Sequence, residues 1–349
     1  MKSRLSRGRS FALSVALGAV GLALFAWVLW RIDYAALRAA LANANVAFVA
    51  LVPLAIVLEQ SLAAAKWKLL LAGLGGARLS RVFAANMAAS VAGYVVPLAG
   101  SAVVRSWLVA RCEGLPFPSV FATIAVDRLV DGAAFLAIAA VAILLIGMPA
   151  TDESLRSGAL AAASVAAAIL LALAMLLAAF RRSIRGDPEG ARRFAAWVPA
   201  RWRGRSKQIL HAFAEGIAWP QNPARRAAIV ALAFCVKALA ATHLLWAGLA
   251  LGVSLAIAQY VLLMVLLGFV HVLSRFVRIP GTFVLAAAFL LELFGVDRER
   301  ALAMALIVQV SAIVSITALG AAALAWFGTA LDELKTAYAN GPRPGPPLH

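Results

Sequence analysis

The sequence predicts an all-α polytopic membrane protein. Hydrophobic residues make up 64% of its 349 residues, charged residues make up 13%, and the mean hydropathy is +0.93. Several apolar runs reach the roughly 20 residues that a helix needs to cross a bilayer. A soluble helical protein of this length could not bury so much apolar surface. We therefore expect about six full spanning helices and two broken, re-entrant helical hairpins that could form an inverted repeat.

Basic residues are concentrated beside the apolar runs. The net charge is +17, with four Lys and Arg in residues 1–10 and eleven, against three acids, in residues 181–226. Short basic segments next to spanning helices stay in the cytoplasm and can contact anionic lipid headgroups. The pattern predicts a cytoplasmic N-terminus. No nucleic-acid partner is expected, because the sequence has no aromatic-interleaved basic groove.

The predicted full spans follow in chain order. The first, residues 11–30, is interpreted as a retained helix, with a cleaved signal peptide as the alternative. Ser119 is expected to cap the third span. The other predicted spans cover residues 46–71, 120–146, 158–180, 226–251 and 301–327.

Pro97 and Gly100 interrupt the apolar stretch 86–111. A break at membrane depth is tolerated only where protein or a wet cavity satisfies the freed backbone groups. The acidic loop 149–157 is placed outside if the basic loop 181–226 is inside. The interrupted stretch must then enter and leave on the cytoplasmic side, so it is predicted to be re-entrant.

A second interruption, at Pro280 and Gly281, divides the apolar stretch 256–293 beside Arg275 and Arg278. If this stretch is also re-entrant, it opens from the outside. Two broken segments that enter from opposite faces form an inverted repeat with a binding site near the midplane. The alternative is two full spans with both arginines at the inner surface. The re-entrant interpretation is favoured.

Three segments are distinguished. Residues 1–10 form a basic cytoplasmic N-terminus, residues 11–330 form the transmembrane domain, and residues 331–349, rich in Pro and Gly, form a disordered tail. The basic loop 181–226 is too short for a catalytic domain. Its stretch 207–219 has apolar residues four positions apart, which predicts an interfacial helix. A tethering role is favoured over a regulatory one.

Four ionisable residues follow the first break: Arg105, Asp127, Arg128 and Asp131. Such side chains are costly at membrane depth and indicate a functional site. Asp127 and Asp131 share a helix face, and Arg128 can pair with Asp131. Arg105 could hold a phosphate or pair with an acid, close to the free N–H groups at residues 100–102. We predict that the four residues bind or gate a lipid headgroup. The alternative is a structural ion pair.

Arg275 and Arg278 border the second break and are predicted to assist at the headgroup site, with interfacial snorkelling as the alternative. Other polar residues within the apolar runs are weaker candidates, more typical of hydrogen bonds between helices than of a pathway. They are Glu59, Lys237, His243, Glu292 and Gln309.

Nothing in the sequence indicates catalysis. It contains no metal-ligand spacing, nucleophile motif or phosphate-binding glycine loop, so neither an enzyme nor a cofactor or metal is expected. Cys112 and Cys235 match no redox spacing and are interpreted as apolar fillers. Without a nucleotide-binding motif, transport would follow a gradient or run downhill.

The order of these motifs is similar to that of the lysylphosphatidylglycerol synthase transmembrane region, a flippase-like family. The first motif consists of Pro97, Arg105, Gly114 and the run Asp-Arg-Leu-Val-Asp at 127–131. The run Ile-Pro-Gly at 279–281, followed by Phe-Gly-Val at 294–296 and an alanine-rich helix, resembles the second motif of the family.

The resemblance covers residues 15–330 and departs from the family pattern at three places. Ser101 and Ala102 replace a Gly-Glu pair, residues 282–287 replace a Gly-rich run that ends in Glu, and Gln309 stands where an arginine is common. These changes indicate a divergent member. The headgroup-transferring enzymes of the family carry a soluble aminoacyl-transferase domain, which is missing from this sequence, so synthase activity is not expected.

The resemblance implies a multi-pass protein of the bacterial inner membrane. Such a protein would bind and translocate a phospholipid or another amphiphile, preferably with an anionic headgroup, through a groove near the midplane. The alternative is a non-transporting scaffold that hands a lipid, such as a hopanoid or polyprenyl-linked intermediate, to a biosynthetic enzyme. A lipid-modifying enzyme is the least favoured hypothesis. The oligomeric state is left open.

Overall fold

The computed structural model describes residues 34–95, 100–143, 153–186, 203–274 and 281–328, and the regular structure in these ranges is helical throughout. This result confirms the predicted all-α polytopic membrane fold. The helices, numbered in chain order, are α1 (Tyr34–Ala42), α2 (Val46–Leu71), α3 (Leu79–Val95), α4 (Gly100–Glu113), α5 (Phe117–Val141), α6 (Glu153–Gly186), α7 (Arg203–Gly216), α8 (Pro223–Ala250), α9 (Ile257–Ser274), α10 (Thr282–Leu293) and α11 (Arg298–Phe327).

Four of the described helices are long and apolar enough to cross a bilayer: α2, α6 over Ser157–Ile184, α8 and α11. They coincide with predicted spans to within a few residues. Helix α5 has 25 residues, which corresponds to a length of about 37 Å. This length matches a hydrocarbon core of about 30 Å, but α5 carries three charged residues and is not among the four apolar spans. The predicted span at 11–30 lies outside the described residues.

Side-chain caps explain where two of the spans begin. The Oδ1 atom of Asn45 accepts a hydrogen bond from the Ala47 N–H (3.0 Å) at the start of α2. Asn222 does the same for the Ala224 N–H (2.9 Å) at the start of α8. The prediction that Ser119 caps its helix is wrong, because α5 begins at Phe117. A proline is tolerated in the first turn, where its missing N–H is not needed.

The first hairpin consists of α3 and α4, which pack against each other on either side of residues 96–99. At its base, Arg81 Nη1 donates a hydrogen bond to the Cys112 carbonyl oxygen (2.7 Å), and the Arg78 N–H donates one to Glu113 Oε1 (2.8 Å). The chain therefore enters and leaves this hairpin at the same end, as a re-entrant element requires. The break itself, including Pro97, lies outside the described residues, whereas Gly100 is the first residue of α4.

The second hairpin consists of α9, with 18 residues, and α10, with 12 residues, which also pack together. A 12-residue helix is about 18 Å long and cannot cross a hydrocarbon core of about 30 Å. This length favours the re-entrant interpretation over two full spans. Gly281, with φ 77°, precedes α10. Arg275, Arg278 and Pro280 lie outside the described residues.

The chain divides into two compact units, and each unit contains one hairpin. The first unit comprises Met1–Ile56, Ile138–Ala162 and Ala238–Ile313, and it contains α9 and α10. Its most buried large side chains include Tyr260 and Met304.

The second unit comprises Val57–Ala137, Ala163–Lys237 and Val314–His349, and it contains α3 and α4. Its hydrophobic core is built around buried side chains such as Trp67 and Leu108.

Helix α7 packs onto the start of α5 within the second unit. A Cβ atom on Gly216 would lie 2.1 Å from the Ser119 carbonyl oxygen, so only glycine permits this approach. Phe213 makes an edge-to-face contact with Phe180, and Ile217 is buried in the core, whereas Ile209 is exposed. Much of the apolar face of α7 therefore packs on protein.

Candidate functional site

Lys66, from α2, lies at the centre of a buried cluster of charges in the second unit. Its Nζ atom is 3.1 Å from Oδ1 of Asp127 and makes a closer contact with Oδ1 of Asp131. Both acids come from α5, one helical turn apart, which confirms that they share a face. An isolated buried ammonium group costs several kcal/mol, so Lys66 depends on these two carboxylates.

Arg105, from α4, occupies the other side of Asp127. Its Nη2 donates a hydrogen bond to Asp127 Oδ2 (3.2 Å), and its Nη1 donates one to Oδ1 of Asn86 (3.1 Å). The amide group of Asn86 in turn donates to Oε1 of Gln60 (3.1 Å). The hairpin formed by α3 and α4 thus supplies both the cation and the amide that orients it.

Trp67 packs beneath the guanidinium group. The Cζ atom of Arg105 lies 4.1 Å from the centroid of the indole ring. The indole Nε1 donates a hydrogen bond to Thr123 Oγ1 (2.8 Å), so the ring is held in place by α5. A cation over a desolvated indole face gains about 1–2 kcal/mol. Trp67 therefore fixes the guanidinium plane, and the donors at its edge bind the oxygens of Asp127 and Asn86.

The charges alternate along the cluster in the order Arg105, Asp127, Lys66, Asp131. Two cations and two carboxylates from three helices balance each other. The side chains are 10%, 5%, 1% and 19% exposed in that order, so contact with the surroundings occurs at the two ends. Asp127 Oδ1 accepts no hydrogen bond, although it is buried and close to Lys66.

The structure brings together three of the four residues predicted around the first break: Arg105, Asp127 and Asp131. Arg128 has an exposed side chain. Asp131 pairs with Lys66 instead of Arg128. Arg105 pairs with Asp127, one of the two acids considered for it.

The central residue of the cluster, Lys66, was not among the predicted site residues. It lies close to the end of α2 and two positions before Lys68, which is exposed. A pair of lysines at the end of an apolar run is typical of the membrane interface. The available signal was the two acids on one face of α5, which together require a buried cation. Trp67 and Asn86 were also not among the predicted site residues, because their roles depend on contacts between helices.

Glu59 extends the polar face of α2 toward the preceding turns. It lies seven residues before Lys66 and hence on the same side of the helix. The charges of Lys237, in α8, and of Asp131 both act on it. Two of the weaker sequence candidates, Glu59 and Lys237, therefore belong to the electrostatic surroundings of the cluster.

The remaining candidates are placed elsewhere or not described. Glu292 is half exposed, with Oε1 3.8 Å from Arg298 Nε at the end of the second hairpin. Arg275 and Arg278 lie outside the described residues.

A comparison with protein families gives one match. The family model described as the lysylphosphatidylglycerol synthase TM region matches residues 11–320. No curated protein and no solved structure matches the chain. The matched range contains all four residues of the charged cluster.

Proposed function

The chain belongs to the lysylphosphatidylglycerol synthase transmembrane-region family, and from this membership we propose that it binds and translocates a lipid with an anionic headgroup across the bacterial inner membrane. The observation that supports this proposal most strongly is the buried Arg105. It projects from a broken helical hairpin and is held by Asp127, Asn86 and Trp67.

A lipid phosphate can replace the Asp127 carboxylate as the partner of Arg105. Both groups present oxygens in a geometry that matches the planar fork of a guanidinium group. When a phosphate takes the place of Asp127, Arg105 keeps a charged partner. Asp127 also keeps one, because Lys66 lies 3.1 Å from its other oxygen. The exchange therefore leaves neither buried ion unpaired, which limits its free-energy cost.

This exchange gives a physical basis for alternating access. A ligand changes a conformational equilibrium only if it binds the two states with different affinities. In the structure, the pairing of Arg105 with Asp127 connects α4 to α5. A headgroup on Arg105 replaces this connection, so the lipid favours a state in which the hairpin is released from α5. The proposed groove between the two broken helices remains a prediction.

The predicted topology places the base of the first hairpin and the N-terminus in the cytoplasm. Arg105 lies about 12 Å along α4 from Glu113, at the base. In a hydrocarbon core of about 30 Å, this depth corresponds to the cytoplasmic half of the membrane. We infer that the site receives headgroups from the inner leaflet.

The test is a translocation assay with the purified protein in liposomes that contain fluorescent phosphatidylglycerol. The wild type is expected to accelerate its movement between leaflets, and Arg105→Gln is expected to lower the rate by about tenfold or more, equivalent to about 1.4 kcal/mol of lost headgroup interaction. Arg182→Gln, an identical change at an exposed arginine of α6, is the matched control and should keep the wild-type rate. A wild type that moves neither phosphatidylglycerol nor other common phospholipids would overturn the proposal.

The scaffold alternative predicts the opposite pattern in cells. Arg105→Gln would retain function, whereas changes at a partner-docking surface would abolish it. Deletion of α7 would disturb the core, because Gly216 packs directly on the Ser119 backbone. The informative variant is Ile209→Ser, at the exposed apolar residue of that helix. Loss of cellular function in Ile209→Ser, together with retained cellular function in Arg105→Gln, would favour the scaffold.

A further inference from the structure

We propose that Asp131 binds a proton when an anionic headgroup replaces Asp127 as the partner of Arg105. One proton then accompanies each headgroup. This inference rests on the lipid translocation proposed above. It adds the identity of the coupled ion and the residue that carries it.

The charges of the cluster are balanced before a headgroup binds. Arg105, Asp127, Lys66 and Asp131 contain two positive and two negative charges, and each contact between neighbours joins opposite signs. A monoanionic phosphate added to this cluster would leave one uncompensated negative charge in a buried site. Such a charge is costly in a low-dielectric environment, and protonation of a nearby carboxylate is the usual way to remove it.

Asp131 lies at one end of the cluster. After the exchange, Asp127 retains Lys66 as its partner, and its side chain is 5% exposed. The side chain of Asp131 is 19% exposed, so of the two carboxylates in the cluster it is the better placed to exchange a proton with water. It also shares Lys66 with Asp127. Once the headgroup binds Arg105, Lys66 is the remaining partner of Asp127. The interaction of Lys66 with Asp131 therefore becomes weaker.

Further charged groups surround Asp131. On its own helix, α5, the nearby charges are Asp127 and the exposed Arg128. Helix α2 contributes Lys66 and Glu59, α4 contributes Arg105, and Lys237 of α8 acts on Glu59. Helix α6 packs on α5 at the adjacent Gly132 through Leu170, an apolar side chain. Of these charged groups, Lys66 contacts Asp131 directly, and Arg105 is the one whose partner the headgroup changes.

In the proposed cycle, the O–H bond of the Asp131 carboxyl group is the one covalent bond that forms and breaks. The carboxylate of Asp131 takes one H⁺ from water as the phosphate binds Arg105. When the headgroup leaves, Asp127 pairs with Arg105 again and Asp131 releases the proton. A monoanionic lipid moves together with one proton, so the transfer is electrically neutral. A zwitterionic lipid carries no net charge and requires no proton.

The experiment uses the full-length protein in liposomes with fluorescent phosphatidylglycerol or phosphatidylcholine. A pH gradient and a potassium-diffusion potential are applied separately. For the wild type, the equilibrium distribution of phosphatidylglycerol should change by about tenfold per pH unit, the value for one proton per lipid. It should not respond to the potential, and phosphatidylcholine should respond to neither. Phosphatidylglycerol movement that follows the potential and ignores the pH gradient would overturn the inference.

The diagnostic variant is Asp131→Asn, which resembles the protonated state. Its rate of phosphatidylglycerol movement can differ from that of the wild type, but the equilibrium distribution should lose its pH dependence and become sensitive to the potential. Asp297→Asn, at an exposed acid in the first unit, is the matched control and should behave as the wild type. An Asp131→Asn protein with unchanged pH dependence would contradict the assignment. If Asp131→Asn does not fold, the wild-type comparison of the two gradients still decides the question. A wild type without any lipid movement would instead refute the proposed function.

Discussion

The two hairpins have similar constructions and different surroundings. Each has two short helices, and the segment of sequence between them contains a proline. The first hairpin directs Asn86 and Arg105 into a buried network of ion pairs and hydrogen bonds. In the second hairpin, the buried residues described are almost all aliphatic, such as Leu263 and Leu291, with Tyr260 as the polar exception. A broken helix alone therefore does not define a headgroup site, because the charges supplied by α2 and α5 determine which hairpin is suited to an anion.

The largest effect is expected for Lys66→Met, which leaves Asp127 and Asp131 without their shared cation. Removing one partner of a buried ion pair destabilises a protein by about 3–5 kcal/mol. We expect a large fall in the melting temperature in detergent, measured by tryptophan fluorescence. Lys68→Met changes an exposed lysine of the same helix and should be nearly neutral. A Lys66→Met melting temperature equal to that of the wild type would show that the cluster is not buried as described.

The next effect concerns the packing of the first hairpin on α11. A Cβ atom on Gly320 would lie 2.2 Å from Val91 Cγ2 and 2.7 Å from the Met87 carbonyl oxygen. Gly320→Ala should therefore destabilise the protein by about 1–3 kcal/mol through overpacking, again seen as a lower melting temperature. Gly158→Ala is the control, since a Cβ atom there meets nothing within 4 Å and alanine favours the helix. Equal melting temperatures for the two variants would contradict this packing.

A smaller effect is expected for Trp67→Phe. The phenyl ring keeps an aromatic face for Arg105 but cannot donate the hydrogen bond to Thr123 Oγ1. The loss should be about 1 kcal/mol. Trp326→Phe, at an exposed tryptophan, controls for the change in fluorescence. Trp67→Leu removes the aromatic face as well, and a loss no greater than that of Trp67→Phe would argue against the cation–π contact.

The smallest effect is expected at the second hairpin. Glu292 and Arg298 are about 40% exposed and 3.8 Å apart. A solvent-exposed pair of this kind contributes less than about 1 kcal/mol. Glu292→Gln should leave both the melting temperature and lipid translocation near their wild-type values. A loss of translocation in this variant would show that the second hairpin also has a charged functional site, and would weaken the distinction between the two hairpins.

The sequence predicted the helices because they depend on local composition, whereas the two predicted breaks lie outside the described residues. Long apolar runs determine the spans, and Pro97 and Pro280 interrupt runs that would otherwise continue. The helix boundaries at Val95 and Gly100 agree with this expectation. The cap at Ser119 was predicted wrongly because a proline in the first helical turn is compatible with an earlier start.

The charged cluster could be predicted only in part, because its contacts join residues far apart in the chain. The acids of α5 were found from their spacing and their cost at membrane depth. Their partner Lys66 lies about 60 residues earlier, in a position typical of an interfacial lysine. Which lysine turns inward depends on how α2 packs against α4 and α5. No local pattern contains this information.

The central claim is that Arg105 binds the headgroup and does more than hold α4 on α5. The most direct measurement is phosphatidylglycerol translocation by the double variant Arg105→Gln with Asp127→Asn. This variant removes one charge of each sign, so Lys66 and Asp131 still balance each other. Replacing both partners of a buried pair is far less destabilising than removing one.

We predict that the double variant folds, with a melting temperature close to that of the wild type, and fails to move phosphatidylglycerol. Translocation at the wild-type rate by the folded double variant would contradict the account. In that case the ion pair would have a structural role only, and the headgroup would have to bind elsewhere.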